Sequence, residues 1–98
     1  MDKDDSPVEH EPLASRFVIR TPHGQAECCY RLQGDLLLVT HTEVPALLEG
    51  RGLAARVVAA TLAWARQQGL KVQPLCSYVA AYMRRHPETQ DLLAPGPR

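Results

Sequence analysis

Apolar and polar residues alternate, or run together in short stretches, through the first half of the chain in the manner of β-strands. Residues 16–20 are a short apolar stretch bounded by arginines, and apolar and polar positions alternate from residue 26 to residue 33. A nearly continuous apolar run opens the segment 36–42, which is typical of a central strand. Proline and glycine chemistry predicts turns at 21–24 and 34–35. The pattern therefore predicts an antiparallel three-strand meander.

The period changes to that of an amphipathic helix between Gly52 and Gln68. Gly69 then occupies the position of a C-terminal cap. Apolar residues recur every three or four positions in this segment, and small residues flank the stripe, so the helix can approach a sheet closely. The stripe consists of Leu53, Val57, Thr61 and Trp64, with Ala54, Val58, Leu62 and Ala65 beside it.

A fourth strand and a second helix are predicted after this helix. Residues 71–75 have strand character, and Pro74 within them lacks a backbone donor, which indicates an edge strand or a bulge. Helix-forming residues extend from Ser77 to His86, and Pro87 ends them. The predicted order is β-β-β-α-β-α, which describes an α+β (mixed α/β) domain.

The length of 98 residues allows one domain with one modest core. Residues 1–15 carry five acidic residues against one lysine, contain two prolines and show no period, so we predict a flexible acidic arm. Residues 94–98 are rich in proline and predict a frayed tail. The predicted domain spans residues 16–93.

Charge and cysteine content restrict the class of protein. Eleven basic residues balance eleven acidic residues, which argues against a nucleic-acid-binding protein. Residues 49–71 are nevertheless locally basic, and this favours a small anionic ligand. Three cysteines and no signal-peptide pattern indicate reduced thiols rather than a disulfide framework. We expect a cytoplasmic monomer that binds neither nucleic acid nor membrane.

The segment Leu48–Ala55 carries the most informative motif. Gly50 and Gly52 precede the first helix, where unpaired backbone N–H groups and the helix dipole favour a phosphate or pyrophosphate. Arg51 and Arg56 add cationic donors at the same end. The alternative is a glycine-rich loop that only starts a helix, because the segment lacks the Gly-Lys-Ser/Thr of a Walker loop.

Cys76 and His41 are candidate reactive groups. Cys76 opens the second helix, where the dipole and free N–H groups stabilise a thiolate. His41 lies near the end of the third strand and reaches Cys76 across the sheet if the third and fourth strands are neighbours. A small buried cysteine and a structural histidine are the alternatives. His10 and His23 are interpreted as solvated, and the cysteines offer no zinc spacing.

Three segments in this order resemble the GNAT superfamily of N-acetyltransferases, and most of all its miniature single-domain branch. The first is Glu49-Gly50-Arg51-Gly52-Leu53-Ala54, similar to the Gln/Arg-x-x-Gly-x-Gly/Ala loop of the superfamily, from which Glu49 departs. The others are Cys76-Ser77-Tyr78-Val79 and Arg85-His86-Pro87. The resemblance covers residues 16–93.

This resemblance implies a GNAT-like fold, acetyl-CoA as acyl donor, no metal, and an unidentified amine as acceptor. It implies that the pantetheine arm runs between the third and fourth strands, and that Cys76 and His41 face the acetyl group, with Cys76 as nucleophile and His41 as base. The residues implied to bind the donor are Glu49, Gly50, Arg51, Gly52, Leu53, Ala54, Arg56 and Tyr78.

Two other functions remain open at this point. One is an acyl-CoA binding or sensing module without useful turnover, which fits the absence of the strands and helices that form the acceptor pocket of larger GNAT folds. The other is a partner-binding domain with a decayed loop, in which the acidic arm contacts a basic partner.

Overall fold

Four antiparallel strands and a fifth, parallel strand form one sheet in the order β1-β2-β3-β4-β5 in a computed structural model that describes residues 6–95. The strands are β1 Glu9–Glu11, β2 Arg16–Thr21, β3 Gly24–Gln33, β4 Leu36–Glu43 and β5 Lys71–Pro74. The helices are α1 Leu53–Gln68 and α2 Ser77–Arg85, with short 3-10 helices at Pro12–Ala14, Ala46–Leu48 and Pro87–Leu92. The meander β2-β3-β4 is the one predicted from the sequence.

α1 connects β4 to β5 and thereby makes these two strands parallel. β5 pairs with residues 36–39 of β4 and is the last strand of the sheet, so it is an edge strand; on its other side it has only an isolated bridge, from Leu93 to Val72. Pro74 is its last residue and lies opposite Val39. The edge position predicted from Pro74 is confirmed, because an edge strand tolerates a missing N–H donor.

Both helices pack on the same face of the sheet and bury the core there. The residues with side chains fully buried in this core include Ile19, Cys28, Leu37, Val39, Leu53, Val57, Val58, Val72, Val79 and Met83. Leu92 of the last 3-10 helix packs into the same core. No helix in the described part of the chain is both long enough and apolar enough to cross a membrane.

Residues 9–14 differ from the flexible arm predicted over residues 1–15. β1 pairs with β2, and His10 is not solvated: its ring stacks on Phe17 with centroids 4.1 Å apart, and its Nε2 lies 2.6 Å from the hydroxyl of Tyr30. On the other face, Arg16 and Arg20 form ion pairs with glutamates of β1. A strand of three residues is too short to show an alternation of apolar and polar positions, so β1 is recognised only from its pairing with β2. Residues 1–5 lie outside the described residues.

The C-terminal end of the described chain is also attached to the sheet. Leu93 forms an isolated bridge with Val72, and the backbone N–H of Ala94 donates to the carbonyl of Val72 at 2.8 Å. The predicted frayed tail therefore begins after Ala94 at the earliest, and residues 96–98 lie outside the described part.

Candidate functional site

The loop before α1 leaves the start of this helix open. Gly50 and Gly52 have φ angles of 84° and 78°, in the left-handed region that favours glycine. A Cβ atom at either glycine would meet nothing within 4 Å, so the backbone conformation and not the space requires glycine. The N-cap is Gly52, which has no side chain to cap the helix, and the first intrahelical bond runs from Arg56 N–H to the Gly52 carbonyl. The N–H groups of the first turn therefore point out of the helix end, available to an anion.

A cleft of about 230 Å³ opens at this helix start. Its wall combines the loop, the first turn of α1, and one aromatic side chain from α2, that of Tyr78. The lining residues are Val44, Leu48, Glu49, Gly50, Gly52, Leu53, Ala54, Ala55 and Tyr78. Six of the eight residues predicted to bind the donor thus surround one cleft, because the sheet places the N-terminal ends of α1 and α2 side by side.

The two arginines of the predicted donor site do not line this cleft. Arg51 is exposed in the loop. Arg56 donates from Nη2 to the backbone carbonyl of Ser6 at 2.6 Å, so its guanidinium holds the N-terminal segment against α1. The sequence could not reveal this contact, because it joins residues fifty positions apart.

Cys76 lies where β4 and β5 separate. It is the N-cap of α2, and the backbone N–H groups of Leu75 and Cys76 both donate to the carbonyl of Val39, at 2.9 and 3.1 Å. β4 continues past this point to residue 43, and residues 41–43 pair with β3 and not with β5. A gap therefore opens between the end of β4 and the start of α2, with Cys76 at its closed end.

The hydrogen-bond environment of Cys76 favours a thiolate. Its Sγ lies 3.5 Å from Oγ1 of Thr42. Burial opposes ionisation of the thiol, but hydrogen bonds from the Thr42 hydroxyl and from backbone N–H groups in the first turn of α2 outweigh it, so the pKa of Cys76 lies below its usual value. The pKa of Cys76 is lowered in the direction that the helix start predicts, and the hydrogen bond with Thr42 contributes more to this than either N–H group of the helix.

His41 is not beside Cys76, and the predicted contact between them is wrong. A β-bulge leaves Thr40 without a partner, since Tyr30 pairs with Val39 and Cys29 pairs with His41. The extra residue inverts the alternation of side chains, so His41 faces away from the helices, exposed, with its Nε2 3.2 Å from a carboxylate oxygen of Glu43. Thr42 takes the inward position that the regular alternation assigns to His41.

Thr42 is the site residue that the sequence reasoning missed. Its hydroxyl lies between two thiols, donating toward Cys28 Sγ at 4.0 Å and contacting Cys76 Sγ. Burial raises the pKa of Cys28 to about 11, although hydrogen bonds with Thr61 and Thr42 act in the opposite direction. Cys28 therefore stays protonated in the core, while Cys76 faces the gap. A bulge leaves no clear pattern in a single sequence, so only the strand register shows which side chain points inward.

The chain is similar to known proteins over most of its length. A family model described as GCN5-related N-acetyl-transferase matches residues 16–92. Protein NATD1 of Gallus gallus and Protein NATD1 of Homo sapiens are each 32% identical over 88 residues, a match that covers 87% of this chain and 80% and 78% of those proteins.

A solved structure shares the fold. The solution structure of a GCN5-like protein from Staphylococcus aureus matches 100% of this chain and 95% of its own, with a TM-score of 0.74 and 22% sequence identity. This agreement confirms the predicted GNAT-like α+β fold.

Proposed function

Because the chain belongs to the GCN5-related N-acetyltransferase family, we propose that it binds acetyl-CoA and transfers the acetyl group to an amine. The observation that carries this proposal is the open N-terminus of α1, where Gly50 and Gly52 expose backbone N–H groups to a cleft that Tyr78 of α2 also lines. A diphosphate matches these donors in charge and in hydrogen bonding. In this proposal Glu49, Leu53 and Ala54 bind the donor as part of the lining of the same cleft.

The acyl end of the donor lies in the gap between β4 and the start of α2. Pairing of β4 with β5 ends at Val39 and Pro74, so an extended arm can enter there without breaking a β-ladder. The thioester then reaches Cys76, at the closed end of the gap. In the proposal Arg51, exposed beside the loop, attracts the phosphates from solvent, whereas Arg56 keeps its contact with Ser6.

We assign the role of nucleophile to Cys76. Its thiolate attacks the thioester carbonyl carbon, a new C–S bond forms, and the bond to the sulfur of coenzyme A breaks, so that coenzyme A leaves as a thiolate and takes a proton from solvent. The amine nitrogen then attacks the acetyl group on Cys76, the C–N bond forms, and the C–S bond breaks to return the thiolate. The amine loses its proton to solvent. Backbone N–H groups at the start of α2 hold the carbonyl oxygen as charge develops on it.

Thr42 replaces His41 in this proposal as the partner of Cys76. The Cys76 thiol donates to the Thr42 hydroxyl in the structure, and once the thiol ionises the hydroxyl rotates from Cys28 to donate to the thiolate; a threonine is too weak a base to accept a proton. The nucleophile is therefore activated by a lowered pKa and not by a neighbouring base.

A second candidate function is an acyl-CoA binding module without useful turnover. The observation that favours it is that α1 and α2 both contribute to the core on one face of the sheet, so neither helix builds a wall for an acceptor amine on the other face. Such a module shares the donor cleft and becomes acetylated on Cys76, but it transfers nothing.

Intact mass spectrometry after incubation with acetyl-CoA tests both candidates. We expect the parent protein and the control Cys29→Ser to gain one acetyl group, and Cys76→Ala to gain none. Adding a panel of primary amines, polyamines and lysine peptides then separates the candidates: loss of the adduct with formation of an acetylated amine supports the transferase, and a persistent adduct supports the binding module. Equal acetylation of Cys76→Ala and the parent would show that Cys76 is not the nucleophile.

A further inference from the structure

Three side chains with metal-binding groups converge on the face of the sheet opposite the helices. Glu27 of β3 and Glu43 of β4 are direct partners across the antiparallel pair, and His41 lies two residues before Glu43 on the same side of β4. One ligand atom from each of the three side chains lies within 4.8 Å of the other two. Strand register, and not a loop, sets the positions of these residues, so the backbone holds the cluster together.

The β-bulge at Thr40 is what brings His41 to this face. With regular alternation His41 would point the same way as Val39, into the core. Bulges often re-aim a side chain next to a functional site. Here the bulge places an imidazole beside two carboxylates and at the same time turns Thr42 toward Cys76.

The negative charges of Glu27 and Glu43 are only partly compensated by neighbouring cationic side chains. Carboxylates directly opposite each other on paired strands repel. Arg16 contacts Glu27 at 2.8 Å, but it is shared with Glu11. Within the described residues, the Glu43 carboxylate lies 3.2 Å from the His41 imidazole and forms no ion pair with a lysine or arginine. A divalent ion between the three groups would neutralise the opposed carboxylates.

We propose that Glu27, His41 and Glu43 bind a divalent transition-metal ion, with Zn²⁺ as the best chemical match. An imidazole combined with carboxylates suits Zn²⁺, whereas Mg²⁺ and Ca²⁺ prefer oxygen ligands alone. Bonds of about 2.0–2.2 Å to the metal place ligand atoms about 3–3.5 Å apart, so the exposed His41 and Glu43 and the partly buried Glu27 need to close by only about 1–2 Å. Water completes the coordination on the solvent side.

This site is separate from the proposed acetyl-CoA cleft. His41 and Glu43 lie on one face of β4, and Thr42, between them in sequence, contacts Cys76 on the other. Metal binding therefore does not depend on the proposed function, and its test uses a readout other than acetyl transfer.

Calorimetric titration of the full chain with zinc chloride, at neutral pH and without chelating buffer, tests the site. Cys76→Ser is the background, because the most reactive thiol would otherwise compete for zinc. We expect one ion per chain, and a loss of affinity of at least about tenfold in His41→Ala and in Glu43→Gln. His23→Ala, which removes an exposed histidine in the β2–β3 turn, is the matched control and should bind like the parent.

The substitution Arg16→Gln tests the same site with an expected gain of zinc affinity. Removing the guanidinium frees Glu27 and removes a competing positive charge, so we expect this variant to bind zinc more tightly. The proposal is wrong if His41→Ala and Glu43→Gln bind like the parent, or if His23→Ala loses as much affinity as they do. Loss of binding in Cys29→Ser alone would assign the zinc to a thiol instead, and unchanged or weaker binding by Arg16→Gln would contradict the charge argument.

Discussion

The sulfur of Cys76 lies 3.5 Å from the hydroxyl oxygen of Thr42, across the point where β4 and β5 stop pairing. This contact exists because the bulge at Thr40 turns Thr42 inward and His41 outward. The reactivity of the thiol therefore depends on a hydroxyl from the neighbouring strand and on the start of α2.

Replacing Thr42 by valine should make Cys76 less acidic. Valine keeps the shape of threonine but cannot donate to the thiolate, so the pKa of Cys76 should rise. We expect the midpoint of the pH profile for alkylation by iodoacetamide to move to higher pH, with a several-fold slower reaction at neutral pH. His41→Ala, with the imidazole on the other face, is the control and should leave the profile in place. A shift in His41→Ala and none in Thr42→Val would mean that the histidine, and not the threonine, acts on the thiol.

The three cysteines should react with a disulfide reagent at very different rates. Cys76 has a lowered pKa and faces the gap, whereas Cys28 is fully buried and burial raises its pKa to about 11. Burial and the nearby Glu27 carboxylate also raise the pKa of Cys29. We expect one fast thiol in the native protein, assigned to Cys76 by its loss in Cys76→Ser, and reaction of Cys28 only on unfolding. A fast phase that survives in Cys76→Ser contradicts this order.

Substitutions at the two ends of α1 should separate donor binding from helix stability. Gly52 and Gly69 both have left-handed φ angles, of 78° and 71°. In Gly52→Asp a carboxylate competes for the free N–H groups of the helix, so we expect acetyl-CoA affinity to fall by at least about tenfold, or about 1.4 kcal/mol. Gly69→Asn strains the same helix at its other end and should bind acetyl-CoA like the parent. Calorimetry measures both variants, and equal affinity in both would place the donor elsewhere.

Protonation of His10 should destabilise the fold. Burial against Phe17 and Trp64 lowers the pKa of His10 below its ordinary value of 6.5. The folded state thus favours the neutral ring, so this contribution to stability is complete above about pH 6.5 and is lost as the pH falls below it.

Thermal unfolding at several pH values measures this effect. We expect the midpoint temperature to fall on acidification, and to fall less in His10→Phe, which keeps the stack on Phe17 but has no group to protonate. His23→Ala controls for an exposed histidine. An equal pH dependence in His10→Phe and the parent would exclude His10 as the source.

The parts of the fold predicted from the sequence are those with a local signal. The meander, both helices, the edge position of β5 and the Gly50–Gly52 loop all follow from period, turn chemistry and capping residues within a few positions. Cys76 and Tyr78 lie close to each other for the same reason, since both stand at the start of α2.

The errors share a different cause. β1 is three residues long, too short for a pattern of its own. Its place in the fold is set by contacts of His10 with Phe17, Tyr30 and Trp64, which belong to three other elements. Arg56 carries a charge suited to phosphate, yet it contacts Ser6. In each case a partner distant in sequence decided the role of the side chain.

The sequence by itself determined β2 to β5, both helices, their order and the glycine loop before α1, because hydrophobic period and glycine conformation act over a few neighbouring residues. Only the tertiary structure decided which side chains of β4 meet Cys76. One unpaired residue, Thr40, reverses the inward and outward faces of the strand beyond it. That reversal arises from pairing with β3, so it separates His41 from the thiol and gives Thr42 its place.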